Sequence, residues 1–93
     1  MQDNNFKLRK EYIVKLGNLI KSHREQLNKS IYTISAETGI PRSTWRDVEF
    51  GESNDINLSN FCKISEGLDI YPWDLLKELY KKLGNNFSFT DLD

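Results

Sequence analysis

The stretch SIYTISAETGIPRSTWRDVEFG, Ser30 to Gly51, constrains this 93-residue chain more than any other. Ile34 precedes Gly39, and Ile40, Trp45 and Val48 follow it, a spacing that fits two short helices reversing direction at the glycine. Glycine suits that point because it takes the left-handed backbone that closes a helix without steric cost. Pro41 marks the next start, since its fixed φ suits a first helical turn and its missing N–H is not needed there. Ser35 lies four positions before Gly39, where two steeply crossing helices need a small residue. The second helix of the pair carries Arg42, Ser43, Arg46 and Asp47 on faces that Trp45 and Val48 do not use for packing.

Helical signals continue on both sides. Residues 1–8 are polar and read as a flexible arm, with Phe6 and Leu8 docking weakly. From about Arg9 to Leu27, the apolar positions Tyr12, Ile13, Leu16, Ile20 and Leu27 recur at helical spacing. Ser30 is a good N-cap for a second helix reaching about Thr38, and the third should run from Pro41 to about Phe50. Asn57 can cap a fourth helix, about Leu58 to Gly67, with Leu58, Phe61, Cys62 and Ile64 facing the core. Pro72 opens a fifth helix that Gly84 stops, with Asp74 favourably placed in its first turn. Trp73, Leu76, Leu79, Tyr80 and Leu83 give that helix an apolar stripe. In the tail, residues 85–93, Phe87 and Phe89 alternate as in a weak strand or a packing arm. The expectation is an all-α domain of five helices over residues 9–84.

Composition narrows the function classes. No apolar run approaches the ~20 residues that span a bilayer, and the first residues lack the apolar stretch of a signal peptide. One cysteine, Cys62, and one histidine, His23, leave no disulfide and no metal-ligand cluster. Gly-rich phosphate loops and nucleophile–base motifs are also missing, so neither an enzyme nor a cofactor or small-molecule site is expected. Cys62 reads as an inert core thiol and His23 as a surface or partly packed residue. A cytoplasmic protein follows. The net charge of −1 is not that of a typical nucleic-acid binder. Its distribution is uneven: residues 1–50 hold nine Lys/Arg against six Asp/Glu, and residues 51–93 hold four against eight. A surface facing an anionic partner should therefore lie in the first half.

These residues, taken in order, resemble the Cro/phage-repressor (Xre-like) helix-turn-helix family. The resemblance spans about Leu16 to Leu76. It is carried by Leu16-Gly17 with Ile20, Arg24, Ser30, Ile34 and Gly39-Ile40-Pro41-Arg42-Ser43-Thr44, then Glu49-Phe50-Gly51. Beyond these come Leu58, Phe61 and Ile64, and Gly67-Leu68 ahead of Asp74-Leu75-Leu76. It implies a compact, lambda-repressor-like five-helix domain that binds double-stranded DNA, usually as a dimer on a palindromic operator. It also implies a partly buried ion pair between Arg24 and Glu49, tying the first helix to the end of the third.

In that geometry the third helix enters the major groove. Arg42 could bridge O6 and N7 of a guanine, and Arg46, one turn later, could read a second base or hold a phosphate. Ser43 shares the first turn, and Asp47 could accept from a cytosine amino group. Phosphate contacts are expected from Thr44 and from helix N-termini, where free N–H groups attract anions: Lys29, Ser30 and Tyr32 at the second helix, Asn57 and Asn60 at the fourth. Trp73, Leu76, Tyr80, Phe87 and Phe89 exceed the needs of one small core and point to a homodimer interface.

Three departures from the family pattern weaken the expected grip on phosphate. Ile31 stands where the family often has a glutamine, Trp45 replaces a small aliphatic residue, and the loop after Gly51 carries Glu52 and Asp55 rather than basic residues. Two readings therefore stay open. One is a DNA-binding transcriptional regulator, acting as a repressor; the other is a helix-turn-helix module that binds protein, such as an anti-repressor or accessory subunit.

Overall fold

A computed structural model describes the backbone of residues 2–92 and the side chains of residues 7–92. Five helices follow in order: α1 (Gln2–Gln26), α2 (Ile31–Thr38), α3 (Arg42–Glu49), α4 (Leu58–Gly67) and α5 (Pro72–Leu83). A 3-10 turn, Phe89–Leu92, closes the chain. The described residues contain no strand, so the expectation of an all-helical domain holds.

Helix α1 is longer than its apolar periodicity indicates. It begins at Gln2 rather than near Arg9, so the stretch read as a flexible arm continues the helix. No Gly or Pro interrupts the chain before Gly17, and adding residues to an existing helix costs little compared with nucleating one. Leu8 packs against the core as expected; the expected docking of Phe6 lies outside the described side chains.

The boundaries of the other helices follow local chemistry. The Ser30 hydroxyl accepts from the Thr33 N–H at 3.0 Å, and the Asn57 side-chain oxygen Oδ1 accepts from the Asn60 N–H at 2.8 Å. Each satisfies one of the donors that a helix start leaves without a partner. Gly39, at φ 76°, closes α2, and its N–H donates to the Ser35 carbonyl at 2.9 Å. Pro41 stands just outside α3 as its N-cap.

Packing is organised around α1, which lies against α3, α5 and the closing turn, while α2 packs on α3 and α4, and α4 on α5. The core joins Ile13, Leu16 and Ile20 of α1 to Ile34, Ile40, Trp45, Val48, Ile64, Leu75 and Leu79. Gly17 lets α1 approach α3 closely: a Cβ there would collide with the backbone carbonyl of Val48.

Several apolar positions depart from expectation. Leu58, the first residue of α4, is 77% exposed rather than core. Leu27 also lies at the surface, and Cys62 and Phe61 are only half-buried. The Phe87/Phe89 alternation forms no strand. Instead Phe89 packs edge-on to Tyr12, with ring centroids 5.1 Å apart, and Phe87 packs against Phe89 at 5.0 Å.

Tyr12 also holds the loop after α3. Its hydroxyl donates to Asp55 Oδ1 at 2.5 Å, and Arg9 lies 3.4 Å from Asp55 Oδ2. Burial raises the Asp55 carboxyl, but hydrogen bonds from Tyr12 and the Ile56 N–H, together with the Arg9 charge, outweigh it and hold the group below its ordinary range. Burial first, and then the Asp55 bond, push the Tyr12 phenol well above its ordinary value. The lowered carboxyl stabilises the fold above its unfolded value of about 4, and this is lost as pH falls through the folded value. The raised phenol stabilises below its unfolded value of about 10, and this is lost as pH rises. Tyr12→Phe should therefore flatten the pH profile of urea-unfolding stability at both ends. A variant whose profile parallels wild type would refute the linkage.

Candidate nucleic-acid interface

Helix α3 owes its orientation to a buried carboxylate. Glu49 lies in its last turn and is almost fully buried. Arg24, in the last turn of α1, donates from Nε to Glu49 Oε2 at 2.6 Å and from Nη2 to Oε1 at 2.9 Å. A planar guanidinium meeting both oxygens of a carboxylate is the strongest form of this pair. The hydrogen bonds to Glu49 raise the pKa of Arg24 against the effect of burial. The expected ion pair is therefore present.

Two further bonds were not foreseen. The Trp45 indole Nε1 donates to Glu49 Oε2 at 2.6 Å, so this fully buried ring both fills the core and helps to satisfy the charge. Trp45 and Glu49 are four residues apart in one helix, a spacing that brings side chains together and could have signalled the contact. Arg24 Nη1 also donates to the Lys29 carbonyl at 2.9 Å, fastening the loop that leads into α2.

With Trp45, Val48 and Glu49 turned inward, Arg42, Ser43, Arg46 and Asp47 are all exposed on the outer side of α3, and Thr44 is half-buried. The structure thus brings the four expected base-reading residues onto one short helix. Arg42 is further placed by Tyr32: its Cζ lies over the Tyr32 ring, 5.2 Å from the centroid. Tyr32 is therefore next to the start of α3 as well as at the start of α2.

The expected phosphate contacts fare unevenly. Lys29 does not offer its charge beside the α2 N-terminus. Its amine donates to Glu37 Oε1 at 2.8 Å and to the Gly67 carbonyl at 2.9 Å, bridging the distal ends of α2 and α4. A long flexible stem makes such a reach possible, and sequence position does not disclose it. The side-chain oxygens of Ser30 and Asn57 accept as caps and the Ser30 hydroxyl donates to Thr33 Oγ1, so the donors at these two points are backbone N–H groups of the first helical residues and the side-chain N–H groups of Asn57. Asn60 is half-buried, its own N–H held by Asn57. Ile31, the residue in place of the family's glutamine, packs against the core.

The dimer candidates divide. Trp73, Leu76 and Tyr80 are exposed, at 65%, 41% and 53%, and their spacing puts them on one side of α5. Exposed Tyr71 stacks on Trp73, with centroids 4.6 Å apart and planes 8° from parallel. Phe87 and Phe89 are half-buried: both pack against the core, and Phe89 also lies edge-on to Tyr12 and 5.6 Å from the Tyr80 ring, bordering that side of α5. His23 is partly packed as expected, its Nε2 2.8 Å from Glu78 Oε1 of α5.

No helix among the described residues is long and apolar enough to cross a membrane. Comparison with family models, with curated proteins and with solved structures found no match to this chain.

Removing Arg24 strands a buried carboxylate, which typically costs about 3–5 kcal/mol. Arg24→Ala should lower the thermal midpoint by more than about 10 °C. Adding Glu49→Gln should recover part of that loss, because no charge is then left uncompensated. An unchanged midpoint in Arg24→Ala would show that the pair contributes nothing.

Proposed function

We propose that this chain is a lambda-repressor-like helix-turn-helix protein of the Cro/phage-repressor type that binds double-stranded DNA sequence-specifically. In this reading α3 enters the major groove and the protein represses transcription. The observation that carries it is the Arg24–Glu49–Trp45 network, which holds one side of α3 in the core and leaves Arg42, Ser43, Arg46 and Asp47 outward. A rigidly mounted helix with two outward arginines is what direct base readout requires.

In this reading Arg42 contacts a guanine edge and Arg46 a second base or a phosphate. The N-termini of α2 and α4 face the DNA backbone through main-chain N–H groups, aided by Thr44. Two copies meet through Trp73, Leu76 and Tyr80 and place two α3 helices about one DNA turn apart, on a palindromic operator.

A protein-binding module is the second reading, and the internal engagement of Lys29 favours it. With that amine held by Glu37 and the Gly67 carbonyl, one of the few basic groups near the α2 start is withdrawn from any phosphate. The exposed Tyr71–Trp73 stack would then serve a protein partner.

Fluorescence-anisotropy titrations separate the two. A duplex selected from a random pool should bind, lose affinity steeply as salt rises, and fail to bind the Arg42→Ala, Arg46→Ala double variant. No duplex binding at low salt, alongside protein binding that survives the double variant, would establish the second reading instead.

Self-association is testable separately. Sedimentation at tens of micromolar should show a dimer, and Trp73→Ala with Tyr80→Ala should shift it to monomer. A wild-type chain that sediments only as monomer would remove the preformed dimer.

A further inference from the structure

Tyr32 is a large ring with no place in the core. It stands on the first turn of α2, 67% exposed, and makes no ring–ring contact among the described residues. Its neighbour is Arg42, the first residue of α3, whose Cζ lies over the ring. The two side chains line one shallow groove together with Ala36 of α2 and Gly39 and Pro41 of the intervening turn.

That turn is well defined. The Gly39 N–H donates to the Ser35 carbonyl at 2.9 Å, and the Thr38 hydroxyl donates to the Ile34 carbonyl at 2.7 Å while accepting from the Ile40 N–H at 3.3 Å. The start of α2 and the start of α3 are thus held in a set relation, and the ring and the guanidinium with them.

We infer that Tyr32 is a positioning residue for Arg42, acting on DNA sequence discrimination through the guanidinium rather than by touching the DNA. This rests on the DNA-binding reading above and goes further, since the notable expectation for Tyr32 was a phosphate contact.

The physical case turns on what a ring contact leaves available. A carboxylate partner would occupy the guanidinium's N–H donors, the groups that a guanine edge needs. The electron-rich face of an aromatic ring attracts the cation without using them. Among the described residues Arg42 forms no hydrogen bond to protein, so all five donors remain available. A long arginine side chain otherwise samples many rotamers in water, and confining it beforehand lowers the entropy lost on binding. The tyrosine hydroxyl has no part in this, so phenylalanine should serve as well.

The test uses the full chain and duplexes from the random-pool selection. The base pair read by Arg42 is found as the position at which Arg42→Ala loses preference. Tyr32→Ala should lower the affinity ratio, preferred duplex over the duplex changed at that base pair, by about two- to five-fold. Tyr32→Phe should keep the wild-type ratio, and Tyr32→Ala should have no effect when combined with Arg42→Ala. In the free protein, NMR should show the Arg42 δ-protons shifted upfield by the ring in wild type and Tyr32→Phe, and not in Tyr32→Ala.

An unchanged ratio in Tyr32→Ala overturns the inference while leaving DNA binding intact. So does Tyr32→Phe behaving like Tyr32→Ala, or an equal loss in the Arg42→Ala background, since either would mean that Tyr32 contacts DNA directly. A wild-type chain that binds no duplex overturns both the inference and the reading beneath it.

Discussion

Everything on the outer face of α3 depends on how one carboxylate is satisfied inside. Glu49 has two oxygens to neutralise in a nearly water-free setting, and an isolated charge there would be untenable. Three N–H donors meet it, two from Arg24 and one from Trp45. The arginine comes from α1 and the indole from α3 itself, so satisfying the charge also fixes how the two helices cross. Gly17 removes the side chain that would hold them apart. Because Arg24 also holds the Lys29 carbonyl, the same side chain sets where α2 begins. One polar node thus relates α1, α2 and α3, a task that apolar packing performs with less directional precision.

The formal charge describes this surface poorly. Lys29 is bonded to Glu37 and Gly67, and Asp55 to Tyr12 and the Ile56 N–H with Arg9 close by. The acidic loop is in part a structural tie, and Lys29 is in part a helix clamp. The arginines on α3 stand apart from these networks. Their charge is exposed, and in Arg42 it is oriented by a neutral ring.

The legible part of this molecule was what short-range chemistry decides. Ser30, Gly39, Asn57 and Pro72 mark helix ends through local hydrogen bonds, left-handed backbone and ring geometry, and all four act there. Apolar spacing placed Ile13, Leu16, Ile20, Trp45 and Leu79 inward. It failed at Leu58, the first residue of α4, which is left largely exposed, and the alternation of Phe87 and Phe89 makes no strand but a pair of rings packed edge-on to each other. Long polar side chains were the hardest to read. The destination of Lys29 and the pairing of Tyr12 with Asp55 depend on which remote backbone comes near, and no local pattern encodes that. The Arg24–Glu49 pair was legible through family resemblance, and the Tyr32–Arg42 contact was not anticipated.

The two capped helix starts, at Ser30 and Asn57, have a consequence for how such a protein can diversify. Their side-chain oxygens accept within the helix, and apart from the Asn57 side-chain N–H groups any attraction they exert on an anion resides in main-chain N–H groups and the helix dipole. That attraction is nearly indifferent to side-chain identity, provided the helix is still capped. Drift in the surrounding residues would leave a generic hold unchanged. Novelty in recognition would have to arise on the outer side of α3 and at the ring beside it, a handful of positions that can vary without disturbing the buried carboxylate.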